Sequence, residues 1–102
     1  MGAMSFYTPA TGRNVNRAFF NARSKAAWEH GHRDHSGTVY EKDQVTLLDE
    51  PKRPLPQAIQ RAEELIEARD PRFFPRSGPA GALPIETGTG ESGWLFFGLA
   101  SC

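Results

Sequence analysis

The chain has 102 residues, of which 38% are apolar and 24% charged, and its twelve basic and twelve acidic side chains leave no formal net charge. That length makes one modest domain able to bury roughly two-thirds of its unfolded surface, and the charge balance supplies no global field to draw it to nucleic acid. A single cysteine, Cys102, excludes an intrachain disulfide framework, and no stretch approaches the ~20 apolar residues of a membrane span.

Met1-Gly2-Ala3 ahead of Met4 reads as a cloning scar, so a single domain over residues 4–102 is expected, with no signal peptide and a cytoplasmic location. Thr8 to Gly12 reads as a turn-rich entry. A first helix is predicted from Arg13 or Asn14 to His30, because Val15, Ala18, Phe19, Ala22 and Ala26 recur at helical spacing. Gly31 suits its C-terminal cap, since glycine takes the left-handed conformation without steric cost. Ser36-Gly37 then turns the chain into an extended Thr38–Lys42, and a second short extended piece covers Val45 to Leu48. A hairpin and one bent strand both fit these two pieces.

The charged, proline-broken stretch Asp49 to Pro54 is a linker. Leu55, Ala58, Ile59, Ala62, Leu65 and Ile66 then give the clearest amphipathic stripe of the chain, with Gln60, Arg61, Glu63, Glu64 and Glu67 on the other side. Pro54 and Pro56 fit a first helical turn and Asp70-Pro71 closes the helix. The aromatic pair of Arg72-Phe73-Phe74-Pro75 is expected to pin the following loop to the core. Ala80–Ile85 and Trp94–Ala100 read as the arms of a hairpin, with Pro84 demoting part of the first arm to an edge. The nearly continuous apolar run Trp94-Leu95-Phe96-Phe97 suggests a strand covered on both faces. These pieces predict an α+β domain: two helices packed on one face of a three- or four-stranded antiparallel sheet that ends in a C-terminal β-hairpin.

Two strings carry chemistry. His30-Gly31-His32-Arg33-Asp34-His35 spells H-x-H-x-D-H, a spacing that resembles the dizinc site of metallo-β-lactamase-type hydrolases. Imidazoles and a carboxylate are suitable zinc ligands, and an open coordination position lowers the pKa of bound water to roughly 7. That family draws further histidines from distant segments, yet all three histidines of this chain lie inside the string. Its four-layer fold also needs about twice this length, so the full family reading is rejected. His30, His32, Asp34 and His35 remain candidates for a smaller site holding a divalent transition metal, and a metal-binding or metal-dependent hydrolytic role is the alternative function. The simpler reading is a polar, histidine-rich turn between helix and strand, which requires no cofactor.

Gly88-Thr89-Gly90-Glu91-Ser92-Gly93 is a G-x-G-x-x-G string. As a dinucleotide fingerprint it needs a strand before it, a helix opening directly after it and an acid ~20 positions on. Here a strand-like segment follows and the chain given ends nine residues later, so a hairpin loop is expected. Tyr40 and Glu41 could form an acid–base pair, but neighbours in a strand point to opposite faces. No Ser-His-Asp or Cys-His arrangement can be assembled, and no catalytic residue is assigned.

Arg13, Arg17, Arg23 and Lys25 place four cations on the first helix before any acid. A basic helix can contact phosphates, but a solvated face balanced by Glu29 and Asp34 accounts for it more simply. The segments His30–Lys42 and Gly93–Ser101 are loosely similar to short uncharacterised proteins carried by phages and other mobile elements. That resemblance implies stoichiometric binding of a host or viral macromolecule and no assigned chemistry. The expected function is therefore a non-enzymatic protein-binding or regulatory module. Phe20, Trp28, Phe73 and Phe74 are its candidate contact residues, because Trp and Phe are enriched at interface cores. The partner is a protein, and homodimerisation through the same surface or an uncovered sheet edge is open.

Overall fold

The computed structural model describes residues 3–30, 38–73 and 78–101, and for Ala3, His30, Glu41 and Ser101 it describes the backbone alone. Strand β1 spans Ala3–Thr11, helix α1 Val15–His30, strand β2 Val45–Leu47, helix α2 Leu55–Glu67, strand β3 Ala80–Ile85 and strand β4 Gly93–Ser101. A 3₁₀ turn occupies Val39–Glu41.

The four strands form one sheet in the order β1-β4-β3-β2. β4 is antiparallel to both β1 and β3, as the expected C-terminal hairpin requires, whereas β2 runs parallel to β3. The sheet is mixed rather than purely antiparallel. The physical reason is connectivity: β2 and β3 are joined through α2, and a crossover that includes a helix returns the chain in the same direction.

The two helices lie on opposite faces of the sheet. Along β4, Phe96 and Ala100 pack with Phe6, Ala80, Ala82 and the α1 residues Ala18, Phe19, Ala22 and Ala26. Leu95 and Phe97, which point the other way, pack with Leu83, Ile85, Phe73 and the α2 residues Ala58, Ala62 and Leu65. This corrects the expected placement on one face. The chain crosses the whole sheet from β1 to β2 and returns one position from β2 to β3. Two crossovers of the same hand travelling in opposite directions must put their helices on opposite sides. A central β4 buried on both faces explains why its sequence is apolar without alternation.

α1 starts where Asn14 Oδ1 accepts the Arg17 backbone N–H at 2.8 Å, the bond of a helix N-cap. Its inward stripe is small, so the helix sits close to the alanine-rich strands, and the Phe19 and Phe96 rings meet at 5.4 Å between centroids. Gly12 allows the tight entry from β1, since a Cβ there would lie 2.7 Å from the backbone nitrogen of Ala18. Gly12→Ala is expected to lower stability by about 2 kcal/mol, because backbone has to give way; thermal unfolding against wild type measures it.

α2 matches its stripe: Ala58, Ala62 and Leu65 are buried, with Leu55, Ile59 and Ile66 packed beside them. It closes in a Schellman arrangement, in which Asp70 N–H donates to Leu65 O at 3.2 Å and Arg69 N–H to Ile66 O at 3.0 Å. Arg69 takes the left-handed φ of 54° in which glycine is the usual residue. Phe73 N–H then donates to Asp70 O at 3.0 Å, and this turn delivers the Phe73 ring into the core against Phe97.

Two local expectations change. Residues 3–11, expected to be a turn-rich entry from Thr8 onward, form a nine-residue strand. Pro9 is accommodated because β1 is an edge strand. Residues 38–42 contain a 3₁₀ turn instead of a strand, with Thr38 Oγ1 accepting the Tyr40 N–H at 3.3 Å. Pro84 lies within β3 between the bonds Ala80 N–H to Gln44 O and Glu86 N–H to Arg53 O. Its missing N–H therefore falls on the side where β2 has already ended, as the partial-edge reading required.

Candidate functional site

Helical geometry turns Phe20 outward, 100° around α1 from buried Phe19, and sets Trp28 nearly opposite buried Ala26. Phe20 is 56% exposed and Trp28 89%. Beside Phe20, a groove of ≈ 250 Å³ runs between α1 and the 3₁₀ turn, lined by Phe20, Arg23, Ser24, Ala27 and Tyr40. Arg23 builds its wall. The guanidinium donates through Nε at 3.3 Å and Nη2 at 3.1 Å to Tyr40 O, and sits 5.3 Å from the Tyr40 ring centroid. Arg17 stacks on Phe20, with its guanidinium carbon 5.1 Å above the ring. The outer side of α1 therefore presents aromatic rings with cations fixed beside them.

Among the described residues, all ion pairs lie between positions 50 and 72, and none involves Arg13, Arg17, Arg23 or Lys25. Glu29 enters no ion pair among the described residues, and Asp34, the other acid expected to balance this face, lies outside them. Between residues 13 and 30 the chain carries four cations and one acid, although the whole chain is neutral.

The α2 side is built differently. Glu50 accepts Arg53 Nη1 at 3.0 Å, and Arg61 Nε at 3.1 Å and Nη2 at 3.1 Å, while Arg61 Nη1 reaches Glu64 at 3.5 Å. A broad polar depression of ≈ 460 Å³ is lined by Arg53, Gln57, Gln60, Arg61 and Glu64. Its guanidinium groups are committed to carboxylates, so it fastens the linker to α2 and offers no cationic centre for an anion. The Arg61 hydrogen bonds hold the Glu50 carboxyl below its ordinary range, against an opposing effect of burial. The Arg72 guanidinium, followed by the Arg72 backbone N–H, lowers Asp70 to about 2. Both carboxylates favour the folded state when ionised. Their stabilisation is present above pH 4.5 and is lost as pH falls below the ordinary carboxylate range, for Asp70 as it nears about 2. Solvent screening of these surface pairs limits the loss to about 1 kcal/mol each. Urea unfolding at pH 6 and pH 3 measures it, and Asp70→Asn should flatten the lower part of the profile.

Lys42 was not singled out by its sequence context, a polar stretch between two extended pieces. It is 4% exposed, and its Nζ donates to Gly78 O at 2.8 Å, tying the 3₁₀ turn to the approach of β3. The Arg23–Tyr40 clamp was equally illegible, because its partners lie 17 residues apart. The Arg17–Phe20 stack had a signal in its i,i+3 spacing.

Of the four contact residues expected, Phe20 and Trp28 are on the surface. Phe73 is 1% exposed, its ring 5.0 Å from that of Phe97. It pins the loop to the core, and a ring so buried has no face left to offer a partner. Phe74 lies outside the described residues, as do His32, Asp34 and His35. His30 is the last residue of α1, with its side chain outside the description. Among the described residues no three His, Cys, Asp or Glu side chains gather in a way that could hold a metal ion. Tyr40 and Glu41 sit on the 3₁₀ turn rather than a strand. Gly88 and Gly90 take positive φ in the loop between β3 and β4, and Gly93 opens β4, so the glycine string runs into a strand and not into a helix. No helix among the described residues is long and apolar enough to cross a membrane. Comparison with family models, with curated proteins and with solved structures returned no match.

Proposed function

We propose that the chain is a non-enzymatic protein-binding or regulatory module, and that the outer face of α1 is its contact surface. The observation that carries this reading is Trp28, 89% exposed on the same helix as half-exposed Phe20. Burying such a ring is worth about 1.5–3 kcal/mol, and Trp is among the residues that dominate interface energetics. The partner is an acidic protein segment with an apolar anchor. Arg17, Arg23 and Lys25 lie on the same helix as the rings and enter no ion pair among the described residues, which suits a partner that brings acidic side chains. We place the module in the cytoplasm and, in keeping with the resemblance of its His30–Lys42 and Gly93–Ser101 segments, among small proteins of phages and mobile elements that bind one macromolecule stoichiometrically.

Selection from a displayed library of random decapeptides tests the reading. Enrichment of Asp and Glu around an apolar residue, lost in Trp28→Ser and in Arg17→Ala/Lys25→Ala, is the expected result. Enriched peptides indifferent to Trp28→Ser would count against this face. Failure to enrich acidic peptides, with duplex DNA retained through Arg13 and Arg17, would replace the protein partner by a nucleic acid.

A further inference from the structure

The groove between α1 and the 3₁₀ turn holds a cation in a fixed position. Arg23 is half-buried, and its guanidinium carbon lies 5.9 Å from the Phe19 ring centroid and 5.3 Å from that of Tyr40. Its Nε and Nη2 both donate to Tyr40 O, at 3.3 and 3.1 Å. All of these partners are neutral. Arg53, Arg61 and Arg72 are instead held by the carboxylates of Glu50, Glu64 and Asp70. The clamp on Arg23 therefore sets the position of the guanidinium without neutralising it.

A guanidinium carries five N–H groups in one rigid plane. The Tyr40 carbonyl takes the side formed by Nε and Nη2. The end formed by Nη1 and the second Nη2 hydrogen takes no part in the clamp, and its two parallel donors match the two oxygens of a carboxylate. The rest of the groove is lined by Phe20, Ser24, Ala27 and Tyr40, two aromatic residues, an alanine and one further hydroxyl. Its ≈ 250 Å³ lies under the about 300–1,000 Å³ of small-molecule and cofactor sites, and suits a single side chain. One guanidinium in the lining also matches a singly charged carboxylate. A phosphate group carries about −1.5 to −2 and is read by clusters of arginines.

We propose that this groove is a carboxylate-reading subsite that takes a glutamate side chain of the partner. The carboxylate meets the Nη1–Nη2 end of Arg23, and the methylene stem lies against Phe20 and Ala27. That the glutamate belongs to a protein segment rests on the reading of the outer face of α1 as the contact surface; the subsite itself rests on the Arg23 clamp. Because two rings and a carbonyl hold the guanidinium before a ligand arrives, little side-chain freedom is lost on binding. The apolar walls favour glutamate over aspartate by one more buried methylene group, worth about fourfold in affinity. Arg23 then selects the acidic residue of the partner, and Trp28 receives its apolar anchor.

Titration with N-acetylglutamate N-methylamide, followed by NMR at the Arg23 Nε–H and at the backbone N–H groups of Ser24 and Ala27, tests the subsite. A saturable shift is expected, half complete at about 1–10 mM for a ligand of this size. The aspartate analogue should need about four times the concentration, and the glutamine analogue should give no saturable shift. Arg23→Lys keeps a charge but loses the planar fork, and should abolish the response at Ser24 and Ala27. Arg17→Ala, outside the lining, should retain it. If Arg23→Lys fails to fold, the glutamate and glutamine analogues on wild type still decide. Equal responses to those two analogues, a full response in Arg23→Lys, or no saturable shift in wild type at the solubility limit of the glutamate analogue would overturn the subsite. Selected acidic peptides that need Trp28 but ignore Arg23→Lys would likewise overturn it and leave the α1 surface as the contact face. A specific response to the glutamate analogue in a protein that enriches no acidic peptide would uphold the subsite and remove the protein partner.

Discussion

Phe97→Ala is expected to lower the stability of the fold by about 3–5 kcal/mol, a large part of the roughly 5–15 kcal/mol that holds a domain together. Phe97 is fully buried in the middle of β4, and its ring meets Phe73 at 5.0 Å with the planes tilted by 59°. Both rings lie over Gly81, where a Cβ would stand 2.6 Å from Phe97 Cε1 and 2.8 Å from Phe73 Cε1. Gly81→Ala alone should therefore cost about 1–3 kcal/mol through overpacking. The two substitutions should not add, because removing the Phe97 ring makes room for part of the new methyl group. Residues in contact couple by about 0.5–3 kcal/mol, and urea midpoints of the four proteins in this cycle, compared at constant m, measure the coupling. Additive losses would contradict a ring seated on a glycine.

The second large effect concerns binding. Trp28→Ser should weaken capture of an acidic, apolar-anchored peptide by about thirtyfold or more, the 2 kcal/mol that marks an interface hot spot. The same substitution should leave unfolding within about 0.5 kcal/mol of wild type, as expected for a surface position outside the core. Arg17→Ala should have a smaller effect that fades as salt is raised, because exposed charges are screened over about 10 Å at 0.1 M. Isothermal titration at two ionic strengths separates the two contributions. Equal losses of affinity and stability in Trp28→Ser would mean that the ring supports the fold and is not a contact residue.

Much of the architecture could be read from residue order, and the failures have physical causes. The α2 stripe was legible because six apolar residues keep helical spacing over one face. The α1 stripe was legible too, although its alanines say little about how close the helix approaches the sheet. The unbroken Trp94–Phe97 run foretold a strand covered on both sides. What it could not tell was that the two covers come from different helices, since that depends on the direction of each crossover. β1 escaped notice because Thr8, Pro9 and Gly12 are turn formers, and only the pairing with β4 overrides them. Val39 and Tyr40 favour strands locally, yet the Thr38 hydroxyl and the Arg23 clamp hold a 3₁₀ turn. At the candidate site, the exposure of Phe20 and Trp28 followed from their offset from the inward stripe. The burial of Phe73 followed from a helix cap and a turn, which are tertiary facts.

Trp28 fluorescence puts the account to its most direct test. In a Trp94→Phe variant Trp28 is the sole tryptophan, and its emission should be that of a solvated indole. Titration with a selected acidic peptide should shift the emission to shorter wavelength and saturate at one peptide per chain, with the shift abolished by Phe20→Ser and Arg17→Ala together. An emission that stays at the solvated position while the peptide binds would place the contact surface elsewhere on the molecule and contradict the assignment of the outer face of α1.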